Sequence, residues 1–108
     1  MDVTINNIGI FQNSLPEIKK AMLLITALEG LRDNLNVIRT PRKDILKTLP
    51  IKERQYRSWI KVLIKNDVIK YKTCGTIYLN PNFYFVGSAD DFERAKKLWD
   101  KTTSHLAA

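Results

Sequence analysis

Residues 52–79 read KERQYRSWIKVLIKNDVIKYKTCGTIYL, and the fold turns on how this stretch is parsed. In its first half Tyr56, Ile60, Leu63 and Ile64 recur at steps of four, three and one, the spacing of one buried helical face. Lys52, Arg54, Gln55, Arg57, Ser58, Lys61 and Lys65 project elsewhere, so the spacing predicts a helix over about residues 52–66 with a basic outer face. In the second half, residues 68–72 read as a strand, Thr73-Cys74-Gly75 as a tight turn, and residues 76–79 as the returning strand.

Upstream, Thr40-Pro41 has the form of an N-cap followed by proline at the first helical position, which predicts a short helix over about residues 41–49. Ile45, Leu46 and Leu49 would face inward, and Pro50 would end the helix because it disfavours helical geometry in the residue before it. Two short helices joined by a tight turn, the second basic on its outer face and followed by a hairpin, describe a winged helix-turn-helix.

Farther out, Ser14-Leu15-Pro16-Glu17 fits a capping box, and Ile18, Met22, Ile25, Leu28 and Leu31 carry an apolar stripe to about Arg32. Residues 1–13 read as an arm in which alternation at Val3-Ile5 and Ile8-Ile10 permits a short strand, weakened by Asn6-Asn7 and Gly9. Beyond the hairpin, Asn80-Pro81-Asn82 breaks the strand and residues 83–86 form an apolar run expected to tuck against the helices. Ser88-Ala89-Asp90-Asp91 is a second capping-box-like start, followed by a helix to about Thr103 that buries Phe92, Ala95, Leu98 and Trp99. The expected class is therefore mainly α with a small β-hairpin: a winged helix-turn-helix over residues 14–103 with flanking N- and C-terminal helices, an arm at 1–13 and a frayed end at 104–108.

Charge follows the same map. Between Arg39 and Lys72 eleven bases stand against three acids, a local +8, whereas the other seven bases and eight acids leave −1. The formal +7 of the 108-residue chain thus comes from one contiguous third, and a localised basic face points to a polyanionic partner. The single Cys74 can form no internal disulfide, and the single His105 excludes paired-histidine metal or nuclease motifs, so a reducing, cytoplasmic setting is expected with no cofactor and no metal. No stretch approaches the roughly 18 apolar residues that span a bilayer, so no membrane role is expected.

The string Val37-Ile38-Arg39-Thr40, then residues 59–73 (WIKVLIKNDVIKYKT), then Gly75-Thr76-Ile77-Tyr78-Leu79-Asn80-Pro81-Asn82 and Val86-Gly87-Ser88, resembles the RepL family of plasmid replication initiators over about residues 37–99. The resemblance implies a helix-turn-helix, a wing ending in a Leu-Asn-Pro turn, and a Gly-Ser step into a terminal helix. It further implies binding to an origin and recruitment of host replication proteins.

On these grounds the helix at 52–66 is expected to lie in a major groove, with Lys52, Arg54, Gln55, Arg57 and Ser58 in its first two turns near base edges and Lys61 a further DNA contact on the same helix. Arg39, Arg42, Lys43 and Lys47 are cast as phosphate contacts, and Lys70, Lys72 and Thr73 as contacts from the hairpin. Trp59 and Trp99 are expected in or near the core rather than as stacking platforms, and Tyr71, Tyr78 and Tyr84 lack the metal ligands that a nicking tyrosine requires. No nucleophile and base constellation or phosphate-binding loop is present, so the chain reads as non-enzymatic. Three functions fit: a replication initiator of a plasmid or mobile element on double-stranded DNA, a transcriptional regulator on an operator, and a protein–protein module of a replication complex. The apolar flanking helices also predict a homodimer, the alternative being a monomer in which the first helix caps the core.

Overall fold

The computed structural model describes residues 2–7, 21–72 and 75–103. Along the chain lie β1 (Asp2–Asn6), α1 (Met22–Leu31), β2 (Val37–Ile38), α2 (Arg42–Lys47), α3 (Glu53–Lys65), β3 (Ile69–Tyr71), β4 (Ile77–Leu79), β5 (Tyr84–Ser88) and α4 (Ala89–Lys101). The strands form two antiparallel sheets, one of three strands in the order β2-β4-β3 and one of β1 with β5. The expectation of a mainly α chain with a single hairpin is corrected by this finding: four helices and two small sheets make the described residues an α+β structure.

The unanticipated sheet has a definite cause. Asp2–Asn6 alternates exposed and half-buried residues, and it finds its partner in the run that was expected to fold onto the helices, with Asp2 opposite Ser88 and Asn6 opposite Tyr84. Phe85 is buried within β5, and Phe83 just before it is buried as well, so the aromatic run does reach the core, but as the approach to a strand. The capping box at Ser14 and the start of the first helix lie outside the described residues, as do residues 8–13 of the arm and the chain end at 104–108.

α1 buries Leu24, Ile25 and Leu28 at helical spacing and leaves Leu23 half exposed. Its exit is built by Asp33, whose Oδ1 accepts the backbone N–H groups of Leu35 at 2.8 Å and Val37 at 3.0 Å. Burial opposes charge on this carboxyl, but the Val37 and Leu35 amides and the Arg39 guanidinium outweigh it and hold the group below its ordinary value. Asn36 follows in the left-handed region with φ 63°, a conformation that asparagine tolerates better than most residues. Its buried carboxamide donates to the carbonyls of Leu79 at 3.2 Å and Tyr84 at 2.7 Å and accepts from Arg32 at 3.1 Å.

α2 begins one residue later than expected, with Pro41 itself at the N-cap, and ends at Lys47 rather than at Leu49. Thr48 turns the chain by donating its hydroxyl to Ile45 O at 2.7 Å. α3 then buries Tyr56, Trp59, Ile60 and Leu63. Its end carries both bonds of a Schellman motif, Val68 N–H to Leu63 O at 2.9 Å and Asp67 N–H to Ile64 O at 3.1 Å, with Asp67 at φ 58° where glycine is usual. The chain passes directly into β3, and Gly75 at φ 93° serves the turn that returns it as β4. Ser88 caps α4 as its sequence suggests, its hydroxyl accepting Asp91 N–H at 3.1 Å. The core lies between α1, α3 and the three-stranded sheet, where Leu24, Ile25, Leu28, Ile38, Ile60, Leu63, Ile69 and Ile77 are almost wholly buried.

Two stability measurements test this framework. Asn36→Ala removes the donor to two carbonyls and places a Cβ-bearing residue without side-chain polarity at positive φ, so urea denaturation is expected to show a loss of roughly 2–4 kcal/mol. Asn36→Gly, which relieves only the backbone term, should recover about 1 kcal/mol of it. Because Asp33 titrates below its unfolded value in the folded chain, its contribution is complete above the unfolded carboxylate range and is lost as pH falls below about 4. Asp33→Asn should therefore flatten that acid-side decline; an unchanged slope would contradict the assignment.

Candidate nucleic-acid interface

The amphipathic register of α3 fixes what its outer surface presents. With Tyr56, Trp59, Ile60 and Leu63 turned into the core, Glu53, Arg54, Gln55, Arg57, Ser58 and Lys61 are exposed along the opposite face, and Lys52 occupies the N-cap. Two open depressions follow this face. One is lined by Glu53, Arg54, Arg57, Ser58 and Lys61, and the other runs from Pro50 and Ile51 past Lys52, Gln55 and the rim of Trp59. Arg54 and Ser58 line both, so the two form one continuous strip.

Arg42 joins this strip from α2. Its Nη2 lies 3.0 Å from Glu53 Oε1, and Arg57 Nη2 approaches the same oxygen at 3.4 Å. One carboxylate in the first turn of α3 thus gathers an arginine from each helix. All three side chains are about half exposed, the regime in which an ion pair is worth roughly 0–1 kcal/mol and either guanidinium is easily released. Glu53 was overlooked among the basic residues, although its spacing of four from Arg57 signals the contact. Lys43 is exposed at the start of α2, and Lys47, also exposed, reaches Asp44 at 3.7 Å.

The remaining sequence-predicted residues are distributed differently. Arg39 is held by Asp33 at the turn after α1. Lys70, half-buried, is directed to α4: its ammonium donates to Trp99 O at 2.7 Å and lies 4.3 Å from the centre of the Trp99 ring, tying β3 to the last turn of α4. A cation at a helix C-terminus and over an indole is doubly favoured, which accounts for the placement. Lys72 is half buried and closes the hairpin through its backbone, donating to Thr76 O at 2.9 Å and accepting from Gly75 N–H at 2.8 Å. Thr73 and Cys74 lie outside the described residues.

Trp59 and Trp99 are each 8% exposed, which leaves no broad indole face for stacking a base. Beneath the strip, burial and then the neighbouring Tyr71 push the Tyr56 phenol up to about 12 against the pull of Arg42, so it is neutral at any physiological pH. Among the described residues no cluster of His, Cys, Asp and Glu is arranged to hold a metal ion, and no helix is long and apolar enough to cross a membrane. Compared with known proteins, the chain is matched by no family model, no curated protein and no solved structure.

Proposed function

We propose that this chain binds double-stranded DNA sequence-specifically, with α3 as the element that enters the major groove. The observation that carries the reading is the strip of exposed Arg54, Gln55, Ser58 and Lys61 on a helix whose other face is locked in the core. Among the described residues these four side chains make no ion pair or side-chain hydrogen bond within the protein, leaving their polar ends to an outside partner.

The chemistry follows from the residue types. A B-form major groove about 12 Å wide admits a helix, and there arginine can pair bidentately with guanine and glutamine with adenine. Arg54, Arg57 and Gln55 are assigned to base edges, with Ser58 able to accept or donate. Lys52 and Lys61 at the two ends of the strip, and Arg42, Lys43 and Lys47 on α2, are assigned to phosphates, where they set register and affinity without reading sequence. Taken with the resemblance to the RepL family, this supports a replication initiator of a plasmid or other mobile element, acting in the cytoplasm on its origin and recruiting host replication proteins.

Binding to duplexes across a salt series, followed by selection of a preferred site from a random library, tests the proposal. If about five phosphates are neutralised, log K should fall with log salt at a slope of roughly −4 to −5. Arg54→Ala should cost about 1–3 kcal/mol on the selected site and flatten discrimination, while Lys43→Ala weakens all duplexes alike. A slope near zero would contradict duplex binding, and equal loss of discrimination in both variants would contradict the assignment of α3 to the groove.

A further inference from the structure

Among the described residues Glu53 is the one acid lining the basic strip, where a carboxylate opposes a polyanion. Its Oε1 accepts from Arg42 at 3.0 Å and from Arg57 at 3.4 Å, so it draws together the cation assigned to phosphate and the cation assigned to a base. Charge balance alone does not require it there: the stretch from Arg39 to Lys72 carries eleven bases, and Arg54 and Lys61 stand on the same face with no acid partner among the described residues. The first turn of α3 also favours an acid, through the partial positive charge of the helix N-terminus, so Glu53 is stable in the free protein without needing both arginines.

Resting on the duplex-binding reading, we propose that Glu53 sets the specificity of this surface by competing with phosphate for Arg42 and Arg57. Against a non-cognate duplex the only attraction is the phosphate backbone, and each guanidinium that turns to a phosphate leaves the Glu53 carboxylate facing DNA of the same sign. A cognate site offers Arg57 a guanine edge, which replaces the weak ion pair with two well-oriented hydrogen bonds. Glu53 can then keep Arg42 or accept from a cytosine amino group beside it. The carboxylate therefore subtracts from binding mainly where no base contact compensates. Half-exposed pairs are suited to this role, because they are weak enough to be exchanged on contact.

Glu53→Gln keeps the shape and removes the charge, and Asp100→Asn, an exposed position on α4, makes the same change in net charge away from the strip. Both are compared with the parent chain on a random-sequence duplex and on the site selected by the parent. Glu53→Gln is expected to bind the random duplex about fivefold tighter and the selected site little changed, so that discrimination falls by about the same factor, with the difference shrinking as salt rises. Asp100→Asn should move both duplexes together. An unchanged ratio in Glu53→Gln, or a change that Asp100→Asn reproduces, would overturn the role of Glu53 while leaving duplex binding intact. A parent chain that binds neither duplex would instead overturn the binding reading itself.

Discussion

The structure depends on a buried polar knot around Asn36. One carboxamide ties the exit of α1 to the end of β4 and the start of β5, while the backbone carbonyl of the same residue accepts Leu79 N–H at 2.9 Å. Arg32 completes the knot: its guanidinium donates to Asn36 Oδ1 at 3.1 Å, to Asp33 O at 2.9 Å and to Val86 O, and lies over the rings of Tyr84 and Phe85. Both sheets thus meet in one set of hydrogen bonds. Such groups are stabilising only when all are satisfied, since each buried carbonyl left without a partner costs about 1–3 kcal/mol. Among the described residues no buried side-chain nitrogen or oxygen lacks a partner, which is the condition the knot requires.

The same framework carries α3. Its C-terminus is fastened by the Schellman bonds at Asp67, and Asn80 reinforces them from the far end of the hairpin, donating its side-chain amide to Asp67 O at 2.8 Å and its backbone amide to Val68 O at 2.9 Å. Lys70 then anchors the hairpin to α4 through Trp99. A helix held on its inner face by the core and at its end by this clasp presents its outer side chains at a fixed angle. That is what reading base edges demands, because orientation errors are costly to bidentate contacts.

How much of this was legible in the sequence depended on the range of the interaction. Local signals were readable: the burial of Tyr56, Ile60 and Leu63, the hairpin strands after α3, and the Ser88 cap all follow from spacing within a few residues. The pairing of β1 with β5 was not, because Val3 and Gly87 become neighbours only in the folded chain and neither segment carries a strong strand pattern by itself. The role of Asn36 was equally hidden, since nothing local reveals that its amide will meet Leu79 and Tyr84. Lys70 shows the same blindness at the candidate site. Counted by charge it belonged with its basic neighbours, but its partner is an indole twenty-nine residues on.

The central claim is that the outer face of α3 is the surface that meets duplex DNA, and amide chemical-shift mapping tests it most directly. On titrating the isotopically labelled chain with its selected duplex, the account predicts that the largest perturbations fall on residues 52–61, extend to α2, and leave the sheet of β1 and β5 little affected. Perturbations centred on that sheet or on α4, with α3 unmoved, would contradict it.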